Sequence, residues 1–441
     1  MTEKNNVQFL IKGGSPLTGN VKVSGAKNSA TKLLIASLLS SSKTTLHNSP
    51  NKISDLHVTN ELCKSIGSKI SIENDILEIQ TEKIVSDNLS EELGNLTRTA
   101  ILLAGPMLHR NGRAEIPIPR GGDKIGERPV NFHIEGLKML GADVETTDDY
   151  FILRADKLKG ANIVLDYPSV GATENIIIAS TLAKGRTRIS NAAVEPEILD
   201  LIKFLQKMGA IIEISTDRHI TIEGVEKLNG TTHSVIPDRN QAASFACAGI
   251  ASKGDIFIEN AIQDDLITFL NTVRRMKGNY EVKDNGIRFY YDGKLKPLAI
   301  ETNVHPGFMT DWQQPFIIMM TQANGISILH ETVYEDRFGY ITELKKMGAE
   351  IELYDQCLGS MKCRFVNKNY YHSAIVKGPT ALHGAEINVP DLRAGFSYLI
   401  AGIIAKGESL INGGIYIDRG YEDIDQKFRS LGADVKRITG A

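Results

Sequence analysis

The chain has 441 residues and a formal net charge of −3, and 42% of its residues are hydrophobic. This composition is typical of a globular protein with a large core, and it excludes a disordered, collagen-like or coiled-coil chain. The balance of charge gives no general attraction to nucleic acid, and one tryptophan with 6% aromatic residues disfavours a stacking surface for single strands. We therefore expect no nucleic-acid partner and only local anion-binding sites.

The chain shows no secretory or membrane-spanning pattern. Its N-terminal segment lacks a basic region followed by an apolar one. The longest apolar stretches, such as residues 398–405, are far shorter than the ~20 residues that span a bilayer. These features predict a cytoplasmic protein without a membrane partner.

The four cysteines are scattered: Cys63, Cys247, Cys357 and Cys363. No Cys-x-x-Cys pair occurs, and Cys357 and Cys363 have no histidine at the usual zinc-ligand spacing. The sequence therefore predicts idle thiols in a reducing compartment and no metal site.

A short amphipathic helix that ends in glycine and leads into a strand recurs six times along the chain. A glycine at this place takes the positive φ that ends the helix. The six glycines are Gly67, Gly141, Gly209, Gly278, Gly348 and Gly432. An apolar helix precedes each one, and these helices end at Ser42–Lys43, Gly112, Gly185, Gly254, Gly325 and Gly407. Each unit is thus predicted to run helix, strand, helix, strand.

The first helix of each unit, such as 174–183 or 394–405, is apolar almost all round, which is typical of a buried helix. The strands alternate apolar and polar residues, which indicates sheets with one wet face. We therefore predict an α/β protein with helices inside and sheets outside, in two groups of three units with a cleft between them.

Three motifs could bind an anion. Lys27 opens a predicted helix, where backbone amides and a lysine attract phosphate, although the motif alone favours an ordinary surface lysine. Ser169 opens the buried helix of the third unit and could bind phosphate or cap the helix. Residues 119–130 form a Gly-rich loop of mixed charge, either solvated or shaped to contact a ligand.

Aspartate, arginine or both recur at or near predicted helix starts. Each instance alone is typical of a structural ion pair, but together they predict a site ringed by guanidinium groups for a small, multiply anionic substrate. The segments are Asp238–Arg239, Asp311–Trp312, Asp336–Arg337, Asp391–Arg393 and Asp418–Arg419.

From about residue 8 to residue 438 the chain resembles the UDP-N-acetylglucosamine enolpyruvyl transferases. The runs that carry the resemblance follow in order: KVSGAKNSATKLLIASLL, GGDKIGERPVNFHIEGLKMLGADV, PSVGATENI, NAAVEPEILDL, HPGFMTDWQQPF, HETVYEDRF, PDLRAGFS and IDRGYEDI. The resemblance implies an inside-out α/β barrel of two lobes, each of three repeated subdomains. One lobe comprises residues 27–236 and carries the Gly121–Pro129 loop, the other comprises 1–26 plus 237–441, and the active site lies between them.

The resemblance also implies an activity: transfer of the enolpyruvyl group of phosphoenolpyruvate to the 3′-hydroxyl of UDP-N-acetylglucosamine, with release of phosphate, as the first committed step of peptidoglycan synthesis. Neither a cofactor nor a metal is expected, and no obligatory protein partner. The methylene carbon of phosphoenolpyruvate must be protonated, the hydroxyl must lose its proton, and water must be kept out.

By the same resemblance, the catalytic residues are Asp123, Asp311, Lys27 and Arg393. Asp311 would be the general base near the 3′-hydroxyl. The phosphate would be held by Lys27, Arg128 and Arg419, and the carboxylate side by Arg337 and Arg393. Further positions at the active site are Asn28, Arg98 and Asp391. The UDP-sugar would be bound by Arg128, Pro129, Val130, Asn131, Phe132, Tyr167, Pro168, Ser169, Val170, Gly171 and Val333.

Asp123 departs from the family pattern, because most members have cysteine there as the proton donor and as the thiol alkylated by fosfomycin. A carboxylic acid can donate a proton if its pKa is raised, and we expect insensitivity to fosfomycin. Arg120 and Asn240–Ala243 also depart from the usual residues, and the latter adjoin the uracil and sugar region.

Two alternatives remain open at this point. A paralogous or shikimate-type enolpyruvyl transferase would use the same chemistry on another acceptor. A non-catalytic nucleotide-sugar binding module would retain the cleft without the reaction, which the absent cysteine favours. The second is disfavoured by the intact set of expected active-site residues: Lys27, Arg128, Asp311, Arg337, Arg393 and Arg419.

Overall fold

The computed structural model describes residues 7–120, 130–361 and 363–440, which form two compact units. Among the described residues, one unit comprises 25–120 and 130–236, and it is called the unit of residues 25–236 below. The other is built from the segments on either side, up to residue 24 and from residue 237 onward. Each unit has its own hydrophobic core.

The described residues of the unit 25–236 form three sheets. In spatial order their strands are Thr232–Ser234, Thr44–His47, Ile76–Gln80 and Lys69–Glu73; then Arg113–Pro117, Tyr150–Arg154 and Asp143–Thr146; then Asn162–Val164, Arg186–Ser190, Ile220–Glu223 and Ile211–Ile214. Its helices are Lys27–Ser37, Ser54–Ser65, Glu91–Gly94, Ala104–Asn111, Asn131–Met139, Val170–Ser180 and Pro196–Met208, with a 3₁₀ turn at Arg98–Leu103.

The other unit also contains three sheets. Their strands are Thr18–Lys22, Asp255–Glu259, Gly286–Tyr290 and Asn279–Lys283; then Ala299–Glu301, Gly325–His330, Ser373–Gly378 and Glu350–Tyr354; then Glu386–Asn388, Glu408–Asn412, Val7–Lys12 and Asp434–Thr439. Its helices are Arg239–Ala251, Ile267–Arg275, Thr310–Thr321, Ile341–Lys346, Leu392–Ile404, Gly414–Asp418 and Ile424–Ser430, with a 3₁₀ turn at Asp264–Leu266.

The six subdomains share one spatial plan, which the subdomain around the helix Thr310–Thr321 illustrates, although three sheets take one strand from a segment distant in sequence: Thr232–Ser234, Thr18–Lys22 and Val7–Lys12. A short strand, Ala299–Glu301, leads into this helix and lies parallel to the strand that follows, Gly325–His330. A second helix and an antiparallel pair of strands complete the sheet. In the three-stranded sheet the first strand is reduced to the bridge between Asn88 and Glu115. The predicted sixfold repeat of helices and strands is confirmed.

The first helix of each subdomain is buried, as predicted. Every residue of the helix Arg239–Ala251 is buried, and so is every residue of Leu392–Ile404 up to Ile403. The sheets alternate instead: in Asp255–Glu259 only Ile256 and Ile258 are buried. Helices therefore fill the interior of each unit and the sheets cover them.

Five of the six predicted glycine caps are confirmed, and Gly278 is a correction. Gly67, Gly141, Gly209, Gly348 and Gly432 all have positive φ. In the subdomain that contains Gly278, the preceding Lys277 takes that conformation with φ of 66°. A Cβ at Gly278 would lie 2.8 Å from a methyl carbon of Val273, so this glycine permits close packing.

In the same subdomain, the other predicted helix cap also lies one residue earlier than expected. Lys253, with φ of 60°, takes the place predicted for Gly254, where a Cβ would lie 2.0 Å from the carbonyl oxygen of Leu17.

In the described part of the chain, no helix is both long enough and apolar enough to pass through a bilayer.

Candidate active site

In the unit that contains residues 237–440, Asp311 lies between two arginines. Asp311 is the second residue of the helix Thr310–Thr321. Arg337 Nη2 donates to its Oδ1 at 3.0 Å, and Arg393 Nε donates to its Oδ2 at 3.2 Å. A carboxylate bound by two guanidinium groups is fixed in position by charge-assisted hydrogen bonds. The structure thus brings together three residues that the resemblance assigns to one site.

The two arginines are far more buried than the carboxylate between them. The side chains of Arg337 and Arg393 are 1% and 6% exposed, against 21% for Asp311. Burial opposes the charge of Arg393, yet contact with Tyr421 and attraction by Asp311 raise its pKa well above the ordinary value. Arg393 Nη1 also donates to the Tyr421 hydroxyl at 2.7 Å. The site therefore holds fixed positive charge with a carboxylate that solvent still reaches.

Asp391 positions the backbone from which Arg393 projects. It is the N-cap of the helix Leu392–Ile404, and its Oδ1 accepts from the backbone N–H groups of Arg393 and Ala394 at 2.9 and 3.1 Å. Gln314 Nε2, from the neighbouring buried helix, donates to the same carboxylate at 3.3–3.4 Å. Capping of this kind fixes the first turn of a helix, so Asp391 acts on the site through Arg393.

The remaining Asp–Arg segments of this unit differ in what they do. Asp238 caps the helix Arg239–Ala251. Asp418 pairs with Arg437 at 2.9 Å. Arg419, which ends the short helix Gly414–Asp418, is partly buried two residues before Tyr421.

A buried carboxylate that sequence reasoning missed, Glu331, organises the residues around Asp311. Its Oε1 accepts from the backbone N–H groups of Val333 and Tyr334 at 2.7 and 3.0 Å. Its Oε2 accepts from Thr310 Oγ1 and Gln313 Nε2 at 2.9 and 2.8 Å. Glu331 therefore ties the segment that contains Val333 to the start of the helix that carries Asp311. The run HETVYEDRF contains it, but nothing local in that run indicates its partners.

Glu331 is fully buried, and burial raises its pKa. The nearby Arg337 and the hydrogen bonds to Glu331 oppose this rise by stabilising the charged form. The carboxylate is thus part of the internal support of the site, without contact with solvent.

In the unit of residues 25–236, Lys27 opens the helix Lys27–Ser37 as predicted, with Asn28 following it. Lys27 is not a surface lysine: its side chain is 14% exposed, and its Nζ binds Asp55 Oδ2 at 2.9 Å. A cation at a helix N-terminus is opposed by the helix dipole. Asp55, in the first turn of Ser54–Ser65, compensates for that opposition and holds the ammonium group in place.

Ser169 caps the helix Val170–Ser180, its Oγ accepting from the Ala172 N–H at 3.4 Å. Its own N–H donates to the carbonyl of Tyr167, across Pro168, at 2.7 Å. The structure thus supports the capping interpretation of Ser169. The hydrogen bond from Ser169 to Tyr167 fixes a turn at residues 167–169. A role of Ser169 in binding phosphate remains a proposal.

His133 connects three of the predicted substrate-binding segments of this unit. It follows Val130, Asn131 and Phe132, and a Cβ at Gly171 would lie 3.1 Å from its ring. Its Nδ1 lies 3.2 Å from Asn175 Nδ2. Burial, aided by the charge of Arg98, lowers the pKa of His133 to about 3. The imidazole is therefore neutral, and Arg98, 130–133 and 169–171 lie together.

Asp123, Arg128 and Pro129 lie outside the described residues, and their roles remain predictions from the sequence.

The comparisons with known proteins agree on one family. Residues 11–428 match EPSP synthase (3-phosphoshikimate 1-carboxyvinyltransferase). UDP-N-acetylglucosamine 1-carboxyvinyltransferase of Protochlamydia amoebophila is 49% identical over 436 residues, which is 97% of this chain and 94% of that protein. The enzyme of the same name from Chlamydia abortus is 49% identical over 432 residues, with 97% of each chain covered.

Two solved structures share the fold. The enolpyruvyl transferase NikO from Streptomyces tendae aligns with a TM-score of 0.87 at 22% identity, over 99% of this chain and 100% of that one. EPSP synthase from Acinetobacter baumannii aligns with a TM-score of 0.75 at 17% identity, over 98% and 100%. The predicted fold class is confirmed, and the chain belongs to the EPSP synthase family and, within it, with the UDP-N-acetylglucosamine 1-carboxyvinyltransferases.

Proposed function

We propose that this chain transfers the enolpyruvyl group of phosphoenolpyruvate to the 3′-hydroxyl of UDP-N-acetylglucosamine and releases phosphate. The observation that carries the proposal is the Asp311 carboxylate held by Arg337 and Arg393 in a chain almost half identical to enzymes of that name. In the cell the reaction would take place in the cytoplasm, as the first committed step of peptidoglycan synthesis, and so serve cell shape and division.

Arg337 and Arg393 supply the positive charge and the hydrogen-bond donors that would bind the carboxylate of phosphoenolpyruvate. Both guanidinium groups are nearly fully buried and already bind one carboxylate, that of Asp311. Planar forks of donors suit a second carboxylate equally well. When the substrate enters, its carboxylate competes with Asp311 for these donors, and the oxygens of Asp311 become available to another proton.

Asp311 is then placed to act as the general base. Its side chain is 21% exposed, so a sugar hydroxyl can reach it. Loss of the hydroxyl proton to Asp311 allows the 3′-oxygen to attack the cationic carbon that protonation of the methylene group creates. Phosphate then leaves, and the vinyl ether forms as the methyl group returns a proton.

The other roles follow the family resemblance. Lys27, Arg128 and Arg419 would neutralise the phosphate, with Asn28 and Arg98 close by. Asp123 would donate the proton to carbon. The UDP-sugar would contact the segments 128–132 and 167–171 together with Val333, whose N–H is fixed by Glu331.

The direct test is phosphate release by the full chain from phosphoenolpyruvate, measured with and without UDP-N-acetylglucosamine. We expect release only with the sugar nucleotide present. Shikimate 3-phosphate is the matched control, because the matching family is described as 3-phosphoshikimate 1-carboxyvinyltransferase and this compound would be its acceptor. Release without the sugar nucleotide, release only with shikimate 3-phosphate, or no release would each contradict the proposal.

A second test concerns Asp123. Fosfomycin inactivates thiol-bearing enzymes because a thiolate opens its epoxide, and a carboxylate is a far poorer nucleophile. The wild-type chain should keep its activity after incubation with the drug, and mass spectrometry should find no adduct in residues 119–130. Asp123→Cys should restore inactivation. Inactivation of the wild type together with an adduct on Asp123 would overturn this part of the proposal.

A further inference from the structure

One hairpin connection of the molecule is much longer than its counterparts. The strands Glu350–Tyr354 and Ser373–Gly378 are joined by residues 355–372, whereas the equivalent strands Asn279–Lys283 and Gly286–Tyr290 are joined by two residues. No helix or strand is assigned among the described residues of this connection. Loops of this length without secondary structure need some other means of support.

Four side chains meet at the base of this connection: His330, Cys357, Cys363 and His372. One ligand atom from each lies within 4.8 Å of all the others. Cys357 Sγ lies 3.6 Å from Cys363 Sγ and 3.4 Å from His372 Nε2. Two sulfurs on one tetrahedral zinc ion, each about 2.3 Å from it, are about 3.8 Å apart. The observed spacing is therefore that of ligands around a shared ion.

Both imidazole rings are held in the orientation that metal ligation requires. His372 Nδ1 contacts the Tyr370 carbonyl at 2.8 Å, which leaves Nε2 facing the sulfurs. His330 Nδ1 contacts Glu301 Oε2 at 3.4 Å. Its Nε2 is fully buried and has no hydrogen-bond partner among the described residues. Ligating histidines characteristically bind a carbonyl or carboxylate through their second nitrogen.

Glu301 also fastens the connection itself. Its Oε1 accepts from the Ser360 N–H at 2.7 Å and from Ser360 Oγ at 2.6 Å, and its Oε2 accepts from the Met361 N–H at 2.9 Å. A Cβ at Gly359 would lie 2.4 Å from His330 Nδ1, so only glycine fits between the loop and this ring. The loop is shaped to lie against the histidine that completes the cluster.

We propose that His330, Cys357, Cys363 and His372 bind one zinc ion in a closed, tetrahedral, structural site. Two thiolates with two imidazoles are a donor set typical of zinc. With four protein ligands the ion has no open position, so it stabilises the connection and takes no part in chemistry. Under this proposal Cys357 and Cys363 would not be the idle thiols that the sequence predicts, because the fold brings His330 from another strand to them.

The ion would also support the site described above. His330 ends the strand Gly325–His330 and is followed directly by Glu331. Arg364, next to Cys363, donates to the carbonyl of Val333. The metal would therefore hold the segment 330–333 at both ends. It would bind His330 at the start of the segment, and through Cys363 it would fix the neighbouring Arg364, which contacts Val333 at the end. This proposal does not depend on the identity of the substrate.

The test is the zinc content of the full chain, purified under reducing conditions without a histidine tag and dialysed against metal-free buffer. We expect about one zinc per chain, and X-ray absorption should show two sulfur and two nitrogen ligands. Cys357→Ser/Cys363→Ser should lose at least nine-tenths of the zinc. Cys63→Ala/Cys247→Ala is the matched control, since both thiols are buried in the cores, and it should retain the ion.

A measurement on the wild-type chain keeps the proposal testable if the serine variant does not fold. Alkylation of Cys357 and Cys363, followed by mass spectrometry, should be slow with zinc bound and at least tenfold faster after chelation. Cys63 and Cys247 serve as internal controls and should not change. Absence of zinc after incubation with Zn²⁺, zinc retained by the serine variant, a Cys357–Cys363 disulfide in the purified protein, or alkylation unaffected by chelation would each overturn the proposal.

Discussion

Replacing Asp311 by asparagine tests the centre of the candidate site. The amide keeps the shape of the carboxylate, and its oxygen can still accept from one guanidinium group. Its NH₂ would face the other arginine, so one charge-assisted hydrogen bond is lost. The side chains concerned are largely buried, with 21% of Asp311 and at most 6% of either arginine exposed. Such a bond is worth about 1.5–3 kcal/mol. We expect the free energy of unfolding to fall by roughly this amount.

The effect on turnover should be larger, because an amide cannot take a proton from the sugar hydroxyl. Loss of a general base lowers kcat by about 10²–10⁴-fold. Phosphate release gives kcat, titration calorimetry gives the affinity for UDP-N-acetylglucosamine, and urea unfolding gives stability. Asp391→Ala is the control: it removes the side chain that caps the helix of Arg393, so it should raise the KM for phosphoenolpyruvate more than it lowers kcat. A kcat for Asp311→Asn within threefold of the wild type would refute the role given to Asp311.

Three further predictions follow from particular residues. Glu331→Gln should raise the KM for UDP-N-acetylglucosamine several-fold in steady-state assays, because an amide cannot accept from all four donors; an unchanged KM would contradict the link through Val333. Lys277→Gly should raise the free energy of unfolding by about 0.5–1 kcal/mol, since glycine adopts positive φ without strain; a loss of stability in urea unfolding would show that Lys277 is not strained. The pKa of His133 is about 3 when folded against 6.5 when unfolded. Because the unfolded chain takes up the proton first, the contribution of neutral His133 to stability is complete only well above pH 6.5 and falls by about 3 kcal/mol by pH 4.5. The free energy of unfolding, measured in urea, should fall more steeply with decreasing pH for the wild type than for His133→Gln. An equal dependence on pH would contradict the lowered pKa of His133.

The fold was predictable from sequence where local rules govern it. Helix-ending glycines and all-round apolar helices recur at a similar spacing, and both depend only on nearby residues. The caps at Lys253 and Lys277 could not be found this way. There the glycine follows the strained residue and allows a close approach that local sequence does not reveal, such as that of Gly254 to the carbonyl oxygen of Leu17.

The candidate site was predictable only in part, for a similar reason. Motifs place Asp311, Arg337 and Arg393 in one family site, and the structure brings them within hydrogen-bond distance. Glu331 has donors from a helix some twenty residues earlier, and the cysteine cluster draws one histidine from another strand. Contacts of this kind arise from the topology of the sheet, which no local pattern of residues reveals.

The pairing of the N-terminal strand sets an order for folding during synthesis. Val7–Lys12 lies between Glu408–Asn412 and Asp434–Thr439, and the Gln8 side chain binds Asn412 at a separation of 404 residues. The described strands of the unit of residues 25–236 pair only with one another, and the ends of this unit meet where the Ala26 N–H donates to the Ile236 carbonyl at 2.7 Å. Since domains fold as units while the chain emerges, this inner segment can be complete on the ribosome before the outer one has its last strands. Val7–Lys12 is thus translated some 400 residues before the strands it pairs with, and the nascent chain must keep the apolar face of this strand from aggregating until those strands emerge.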